Sequence, residues 1–151
     1  MKVTARSHCA GDEAIPKPIR QEIAKAIEAA TVTPAKGAAT QIRDAIIHNL
    51  LASGWSAETH ISNDSEMTIT SVKSKIGLCL QTGNMARMYA DLLKLQKIYL
   101  DGAITAGVML VPSQACAQIL GDNVAHAARL ERELEIFRKV IHIPMVIYSI
   151  E

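Results

Sequence analysis

Polar and apolar side chains alternate along two stretches, residues 66–72 and residues 75–82, as they do in half-buried β-strands. We expect the two stretches to form a hairpin that turns at Lys73 and Ser74. The apolar face of this predicted hairpin consists of Met67, Ile69, Ile76, Leu78 and Leu80. The polar face consists of Glu66, Thr68, Thr70, Gly77, Cys79 and Gln81. A carboxylate, hydroxyls, a thiol and an amide share that second face, and we expect it to be the working face.

Other reactive residue types lack the spacing that their chemistry needs. Cys79 has no histidine near it in the sequence, so a small packing residue is a simpler interpretation than a nucleophile. The five histidines have no i, i+4 or H-x-H arrangement, which argues against a zinc site. The chain also has no Gly-rich phosphate loop and no dinucleotide-binding fingerprint. The sequence therefore predicts no metal site and no bound cofactor.

Length and composition are those of one globular domain over residues 1–151, with 49% apolar residues. Aromatic residues make up 3% of the chain, which argues against a platform that stacks nucleic-acid bases. The net charge of +1 gives no general attraction to DNA, so any DNA site has to be a local patch. The first residues lack the apolar run of a signal peptide, no stretch is apolar enough to cross a membrane, and the odd number of cysteines suits reduced thiols. We expect a cytoplasmic protein without membrane contact.

The pattern along the chain predicts an α/β domain. Amphipathic spacing and cap residues predict helices over residues 16–31, 38–52, 85–100, 112–120 and 124–139. Strands are predicted over residues 55–61, the two arms of the hairpin, residues 103–111 and residues 144–150. The order α-α-β-β-β-α-β-α-α-β predicts a mixed central sheet flanked by helices.

Several segments together resemble a known family. Residues 69–73, ITSVK, and residues 76–84, IGLCLQTGN, are similar to a hairpin of the form I-D-F-V-K-x-x-V-x-V-E-V-Q-F-G-N. The later segments ARMYADLLKLQ, DGAITAGVMLVP and IPMVIYSIE resemble the helix, core strand and final strand that follow such a hairpin, and MKV with Ser7, His8 and Gly11 is a weaker match. On these residues the chain resembles the BglII-type branch of the PD-(D/E)XK restriction endonucleases over most of its length. The resemblance implies a restriction-endonuclease-like fold.

The resemblance breaks at the residues that such enzymes use for catalysis. The aspartate of the family pattern aligns with Thr70 and its glutamate with Cys79, while Gln81 is retained. The resemblance implies that Mg²⁺ is held between these carboxylates in an active enzyme, where it activates water and neutralises charge on the scissile phosphate. Mg²⁺ prefers hard oxygen ligands, so a hydroxyl, a thiol and an amide are poor substitutes. Thr70, Cys79 and Gln81 are therefore predicted to be the remnant of a catalytic site that has become inactive.

Other acids offer an alternative in which catalysis has moved. Glu66 shares the predicted polar face with Gln81, and it lies about 13 Å from Thr70 at about 3.3 Å per strand residue. It would therefore build a displaced site, with Glu22 or Asp44 as the second carboxylate. Mg²⁺ is an expected cofactor only under this alternative.

Basic residues cluster around the hairpin and the helix that follows it. They are Lys73, Lys75, Arg87, Lys94 and Lys97. The resemblance implies that this region faces DNA, whereas the simpler interpretation is a solvated charged surface. The later basic residues, from Arg129 to Lys139, alternate with glutamates and indicate an exposed helix with ion pairs.

These observations favour a catalytically degenerate restriction-endonuclease-like protein, a pseudoenzyme that binds double-stranded DNA or a protein partner without cleaving. One alternative is an active Mg²⁺-dependent type II-like endodeoxyribonuclease that uses relocated acids. It would act as a homodimer, because a palindromic site demands two-fold symmetry. Another alternative is an immunity or antitoxin-type protein that neutralises a toxin partner.

Overall fold

The centre of the fold is a five-stranded mixed sheet in the computed structural model, which describes residues 1–151. Its strands are β1 (Val3–His8), β4 (Ser71–Lys73), β5 (Ile76–Leu80), β6 (Ala106–Pro112) and β7 (Met145–Ile150), in the spatial order β1-β7-β6-β5-β4. Strands β5, β6 and β7 are parallel, while the outer strands β1 and β4 are antiparallel to their neighbours. A separate two-stranded ladder joins β2 (Thr59–His60) to β3 (Thr68–Ile69).

Helices cover both faces of this sheet. They are α1 (Gly11–Ala14), α2 (Lys17–Glu28), α3 (Ala39–Ala52), α4 (Met85–Leu100), α5 (Gln114–Leu120) and α6 (Ala127–Ile136). The predicted α/β fold, with a mixed central sheet flanked by helices, is confirmed. No helix is long and apolar enough to span a membrane.

Two apolar clusters, one on each face, hold the layers together. The first, which we call the α3-side core, packs Ile23 of α2 and Ile46 of α3 against Leu78 of β5. The second, the α4-side core, packs Leu95 of α4 against Met109 of β6. Every residue of β6 and β7 is buried, as expected of strands covered on both faces. This is why the sequence of these strands is an almost continuous apolar run.

Helix α4 begins and ends where the sequence predicts. The side chain of Asn84 accepts a hydrogen bond from the backbone N–H of Ala86 and caps the first turn, and Asp101 follows the last residue. Met88, Leu92 and Leu95 are buried on its inner face. The predicted amphipathic stripe therefore orients this helix over β5.

The predicted first arm of the hairpin is not one strand. Thr70 interrupts it, so that β3 pairs with β2 while β4 pairs with β5. The turn lies at Ser74 and Lys75, with φ of 50° and 61°, one residue later than predicted. Two consecutive left-handed residues match the twist of a tight hairpin, and neither residue type signals that conformation in the sequence.

The interruption at Thr70 also makes the predicted division into faces wrong. Ile69 packs in the α4-side core with Cys79, whereas Ile76 and Leu78 belong to the α3-side core. Met67 has 53% of its surface exposed. Because β3 leaves the sheet at Thr70, its alternation is out of phase with that of β4. Cys79 is a core residue because α4 covers its face of β5, so this face is not an exposed polar one.

Strand β1 is absent from the sequence prediction. It pairs with β7 at the edge of the sheet, and most of its side chains are half-buried or exposed. Its residues lack the apolar alternation by which a strand is recognised. Pairing with a distant segment, rather than a local pattern, makes this stretch a strand.

Candidate functional site

A cavity of about 540 Å³ opens at the end of β5, between α3, α4 and the β2–β3 ladder. We call it the Gln81 pocket. Its charged side chains are Arg43, Glu58, Arg87, Asp91 and Lys94, and its polar side chains are Thr40, Thr68, Thr70, Gln81 and Thr82. Two of the three predicted remnant residues, Thr70 and Gln81, therefore line one cavity.

Gln81 is held rigidly in this pocket by hydrogen bonds at both ends of its amide. Its Nε2 donates to Oδ2 of Asp91 at 2.9 Å, and its Oε1 accepts from the backbone N–H of Gly83 at 3.0 Å. Its own backbone N–H donates to Leu110 of β6, which extends the parallel ladder past β5. Gln81 is 9% exposed, so the pocket has a fixed amide in its wall.

Asp91 is the acidic residue closest to Gln81, and the sequence prediction missed it. Its Oδ1 accepts a hydrogen bond from Lys94 at 3.0 Å, and its Oδ2 accepts from Gln81. Each oxygen of this largely buried carboxylate thus already accepts one hydrogen bond. The sequence does contain a signal for a buried acid here. Asp91 lies three residues after Met88 and four before Leu95, so it falls on the buried face of α4.

Thr70 closes the gap between β3 and β4. Its Oγ1 accepts a hydrogen bond from the backbone N–H of Leu80 at 3.0 Å, in place of a strand partner. The hydroxyl keeps one proton that it can donate. Thr70 therefore performs a structural role at the position where the family resemblance implies an aspartate.

Cys79 does not line the pocket. Its side chain is 1% exposed and packs in the α4-side core. Burial, reinforced by the negative charge of Asp91, raises the pKa of the thiol, so Cys79 is a neutral thiol at physiological pH. Its position agrees with a packing role and offers no ligand to the cavity.

The acids predicted for a relocated site lie elsewhere. Glu66 and Asp44 are exposed and do not line the Gln81 pocket. Glu22 does not line the pocket either; it accepts hydrogen bonds from Trp55 of the α3-side core and from Lys73, at 2.8 Å and 2.5 Å. Instead the pocket contains Glu58, whose Oε1 accepts from the Thr68 hydroxyl at 2.6 Å.

The structure divides the five predicted DNA-facing cations. Only Arg87 and Lys94 line the Gln81 pocket. Lys73 pairs with Glu22, Lys97 pairs with Asp101 at 2.6 Å, and Lys75 lies in the hairpin turn. Lys73 points away from the pocket because it shares a sheet face with Ile76, its partner across the hairpin.

Arg43 is the cation that the sequence prediction missed. It lies on α3, and its Nη1 donates to the backbone carbonyl of Leu80 at 2.5 Å. The pocket therefore has three cationic side chains against two carboxylates, a local net charge of +1. The sequence contains no local signal for this placement, since Arg43 occupies an ordinary helix-surface position.

Comparison with known proteins identifies the family. The model of the restriction endonuclease BglII/BglIII family matches residues 3–150. The chain belongs to this family. Two solved structures of BglII, each 12% identical in sequence, have the same fold. The complex of BglII with a DNA 16-mer matches with a TM-score of 0.84 over 100% of this chain and 77% of that chain. Free BglII matches with a TM-score of 0.71 over 100% of this chain and 80% of that chain. No curated protein matches the sequence.

The residues of the Gln81 pocket do not fit the Mg²⁺ that the BglII/BglIII family implies. No group of three or more His, Cys, Asp or Glu side chains is arranged to hold a metal ion. Asp91 has both oxygens engaged, and its partner Lys94 is a cation that a metal would have to displace or approach. Glu58 is exposed and hydrogen-bonded to Thr68. Mg²⁺ is usually held by one or two carboxylates while it keeps several waters, and here one carboxylate is paired with a lysine and the other lies exposed at the mouth of the pocket.

Proposed function

We propose that this member of the BglII/BglIII family is a catalytically degenerate nuclease that binds duplex DNA without cleaving it. The observation that carries the proposal is the state of the two remnant positions. Thr70 is engaged with the backbone of Leu80, and Cys79 is buried in the core, so neither offers a carboxylate to the pocket. Without those ligands the pocket has no arranged ligand set for the metal ion that activates water beside a phosphate.

Binding to DNA is supported by the fold and by the charge of the pocket. The chain shares the fold of BglII, which has been solved as a complex with a DNA 16-mer. Arg43, Arg87 and Lys94 give the Gln81 pocket a positive charge that the chain as a whole, at +1, does not have. A local patch of this kind is sufficient for contacts to DNA phosphates.

Partner and location follow from the same proposal. A binder of a two-fold symmetric DNA site is expected to be a homodimer, since each subunit then contacts one half-site in the same way. Reduced thiols at Cys9, Cys79 and Cys116 suit the cytoplasm, where such DNA is accessible.

One observation favours a second candidate function. Glu58 and Asp91 line the same cavity, so two acids other than the predicted ones lie near Gln81. An active Mg²⁺-dependent endonuclease with relocated acids would need Asp91 to release Lys94 and Glu58 to turn inward. The engagement of Asp91 by Gln81 and Lys94 makes us prefer the inert form.

The test is binding and cleavage measured on one preparation. We expect the protein to shift duplex DNA in a gel at low salt and to leave supercoiled plasmid intact with Mg²⁺ or Mn²⁺. Arg87→Gln should weaken binding and reduce the slope of log K against log salt by about 1, as for one lost phosphate contact. Arg138→Gln, an exposed arginine outside the pocket, is the matched control. A flat binding isotherm at low salt would refute the proposal.

A further inference from the structure

The outer edge of β1 is a row of backbone hydrogen-bonding groups that have no partner strand. Lys2 and Glu151 exchange both of their backbone hydrogen bonds, at 2.9 Å each. Alternation along the antiparallel ladder then directs the even-numbered residues of β1 towards β7. The N–H and C=O groups of Val3, Ala5 and Ser7 therefore point away from the sheet, and no other backbone group of the chain bonds to them.

The opposite edge of the sheet, at β4, is closed by contrast. The backbone N–H of Ser56 donates to the carbonyl of Val72 at 3.1 Å, and the Ser56 hydroxyl accepts from the Val72 N–H at 2.8 Å. In β1, residues 4–7 are all exposed. The strand also lacks proline and a bulge, which are two devices that keep edge strands from pairing with other chains. The edge of β1 is thus open to a further strand.

This open edge is complementary to itself. A second β1 can approach in the antiparallel direction with a two-fold axis at Ala5, so that Ala5 lies opposite Ala5 of the copy and Val3 lies opposite Ser7. In this register every outward N–H and C=O group of these residues has a partner. Arg6 then lies opposite Thr4, so no charged residue stands directly across from a like charge.

The charges beside the edge are also complementary to those of a reversed copy. A cavity of about 330 Å³ lies between β1 and α6, and α6 contributes Glu131, Arg132 and Glu135 to it. Arg132 makes no ion pair within the chain. Glu131 and Glu135 make only long ones, at 3.9 Å to Arg6 and 3.5 Å to Arg138. A two-fold axis reverses this row of charges in the copy, so that arginine can face glutamate.

We propose that β1 is an interface at which two copies of this chain pair edge to edge, so that their central sheets become continuous. The two-fold axis is perpendicular to the sheet, and β5 of one copy therefore runs opposite to β5 of the other. The two Gln81 pockets consequently open at opposite ends of the joined sheet. This contact is distinct from a dimer seated on one symmetric DNA site, and it goes beyond the proposed function because it needs no DNA.

The experiment is sedimentation equilibrium of the protein without DNA. Paired strands bury less surface than a standard interface of about 1,600 Å², so we expect a reversible dimer with a dissociation constant of about 10–100 µM. Ala5→Lys places two ammonium groups opposite each other at the axis and should raise this constant about tenfold or more. Ala5→Gln, of similar length and without charge, should dimerise like the parent. Ala52→Lys, which adds the same charge at an exposed position on α3, should also do so.

A mixture of charge variants tests the register itself. Ala5→Glu alone should dissociate like Ala5→Lys, whereas an equimolar mixture of the two should recover the dimer, because position 5 then faces an opposite charge across the axis. Thermal melting of each variant verifies that it is folded. A parent that stays monomeric throughout this concentration range, or a dimer that Ala5→Lys leaves intact, would overturn the proposal. Loss of the dimer in both single variants without recovery in the mixture would overturn the pairing about Ala5.

Discussion

The ammonium of Lys94 lies 3.0 Å from Oδ1 of Asp91, one helical turn earlier on α4. This ion pair is largely sheltered, and the second oxygen of Asp91 is occupied by Gln81. The Asp91 carboxylate is thereby committed to a cation of the protein itself. The acid nearest to Gln81 is therefore paired within the protein, in a pocket whose net charge is +1.

Removal of the carboxylate at the mouth of the Gln81 pocket should strengthen DNA binding. Glu58→Gln deletes one of the two negative charges of the pocket and keeps a hydrogen-bond partner for Thr68. Repulsion between the Glu58 carboxylate and a DNA phosphate about 6 Å away in water corresponds to about a threefold change in affinity. Removing it should therefore raise the affinity by about that factor, and the gain should shrink with added salt. Anisotropy titrations at low and high salt measure it. Glu135→Gln, at an exposed position on α6, is the control. An equal gain in affinity in this variant would show that the effect comes from the overall charge and not from the pocket.

The three cysteines should differ sharply in reactivity. Cys9 is half-buried at the surface, whereas burial raises the pKa of both Cys79 and Cys116 and shields their sulfur atoms. At about pH 8 we expect one thiol per folded chain to react quickly with Ellman's reagent and all three to react after denaturation. Fast labelling of Cys79 in the folded protein, identified by mass spectrometry, would contradict its placement in the α4-side core.

Two glycines of the sheet region should respond differently to alanine. A Cβ at Gly11 would overlap the backbone carbonyl of Met145, whereas one at Gly77 would meet the flexible end of Ile104 at 2.9 Å. Gly77→Ala should therefore cost about 1–3 kcal/mol in the free energy of unfolding, and Gly11→Ala more than about 3 kcal/mol, because a backbone cannot move aside as a side chain does. Urea denaturation compares them. Equal costs would show that the contact of α1 with β7 is looser than described.

Acidification should weaken the first turn of α6 through His126. The unprotonated Nδ1 of His126 accepts a hydrogen bond from the backbone N–H of Arg129 at 3.3 Å. Burial, together with the charges of Arg129 and Arg132, lowers the pKa of His126. A lowered pKa in the folded state means that the stabilisation is complete above the ordinary pKa of about 6.5 and is lost as the pH falls through the folded-state value. His126→Asn keeps a capping side chain that does not titrate.

The measurement for His126 is the midpoint of urea unfolding between about pH 7.5 and about pH 5, a range chosen around the ordinary histidine pKa. The parent should lose more stability over this range than His126→Asn, by up to about 1 kcal/mol. His48→Asn, a change at an exposed histidine on α3, is the control for a histidine substitution outside this turn. An identical pH dependence in parent and His126→Asn would contradict the capping role.

Features that depend on neighbouring residues in the sequence were predictable. The start and end of α4 follow from Asn84 and from Asp101 with Gly102, which act within one turn of the helix. The apolar runs of β6 and β7 reflect burial on both faces. The family resemblance then directed attention to Thr70 and Gln81, which do line one pocket.

Features that depend on distant partners were not predictable from the pattern. Strand β1 exists because it pairs with β7, and the break at Thr70 exists because β3 pairs with β2. Arg43 has the sequence environment of an ordinary helix residue. The spacing of Asp91 places it on the buried face of α4 but names no partner, and only the packing of α3 and α4 around β5 brings both residues to Gln81. The true charge balance of the site is therefore a tertiary property.

The central claim is that this member of the BglII/BglIII family holds DNA and does not cleave it. The most direct test incubates a saturating amount of protein, shown by anisotropy to bind, with supercoiled plasmid in Mg²⁺ and separately in Mn²⁺. We predict that the plasmid stays supercoiled over a long incubation while the protein stays bound. Nicked or linear plasmid that depends on the metal, and that disappears in Asp91→Asn and Glu58→Gln, would contradict the claim and establish a relocated catalytic site.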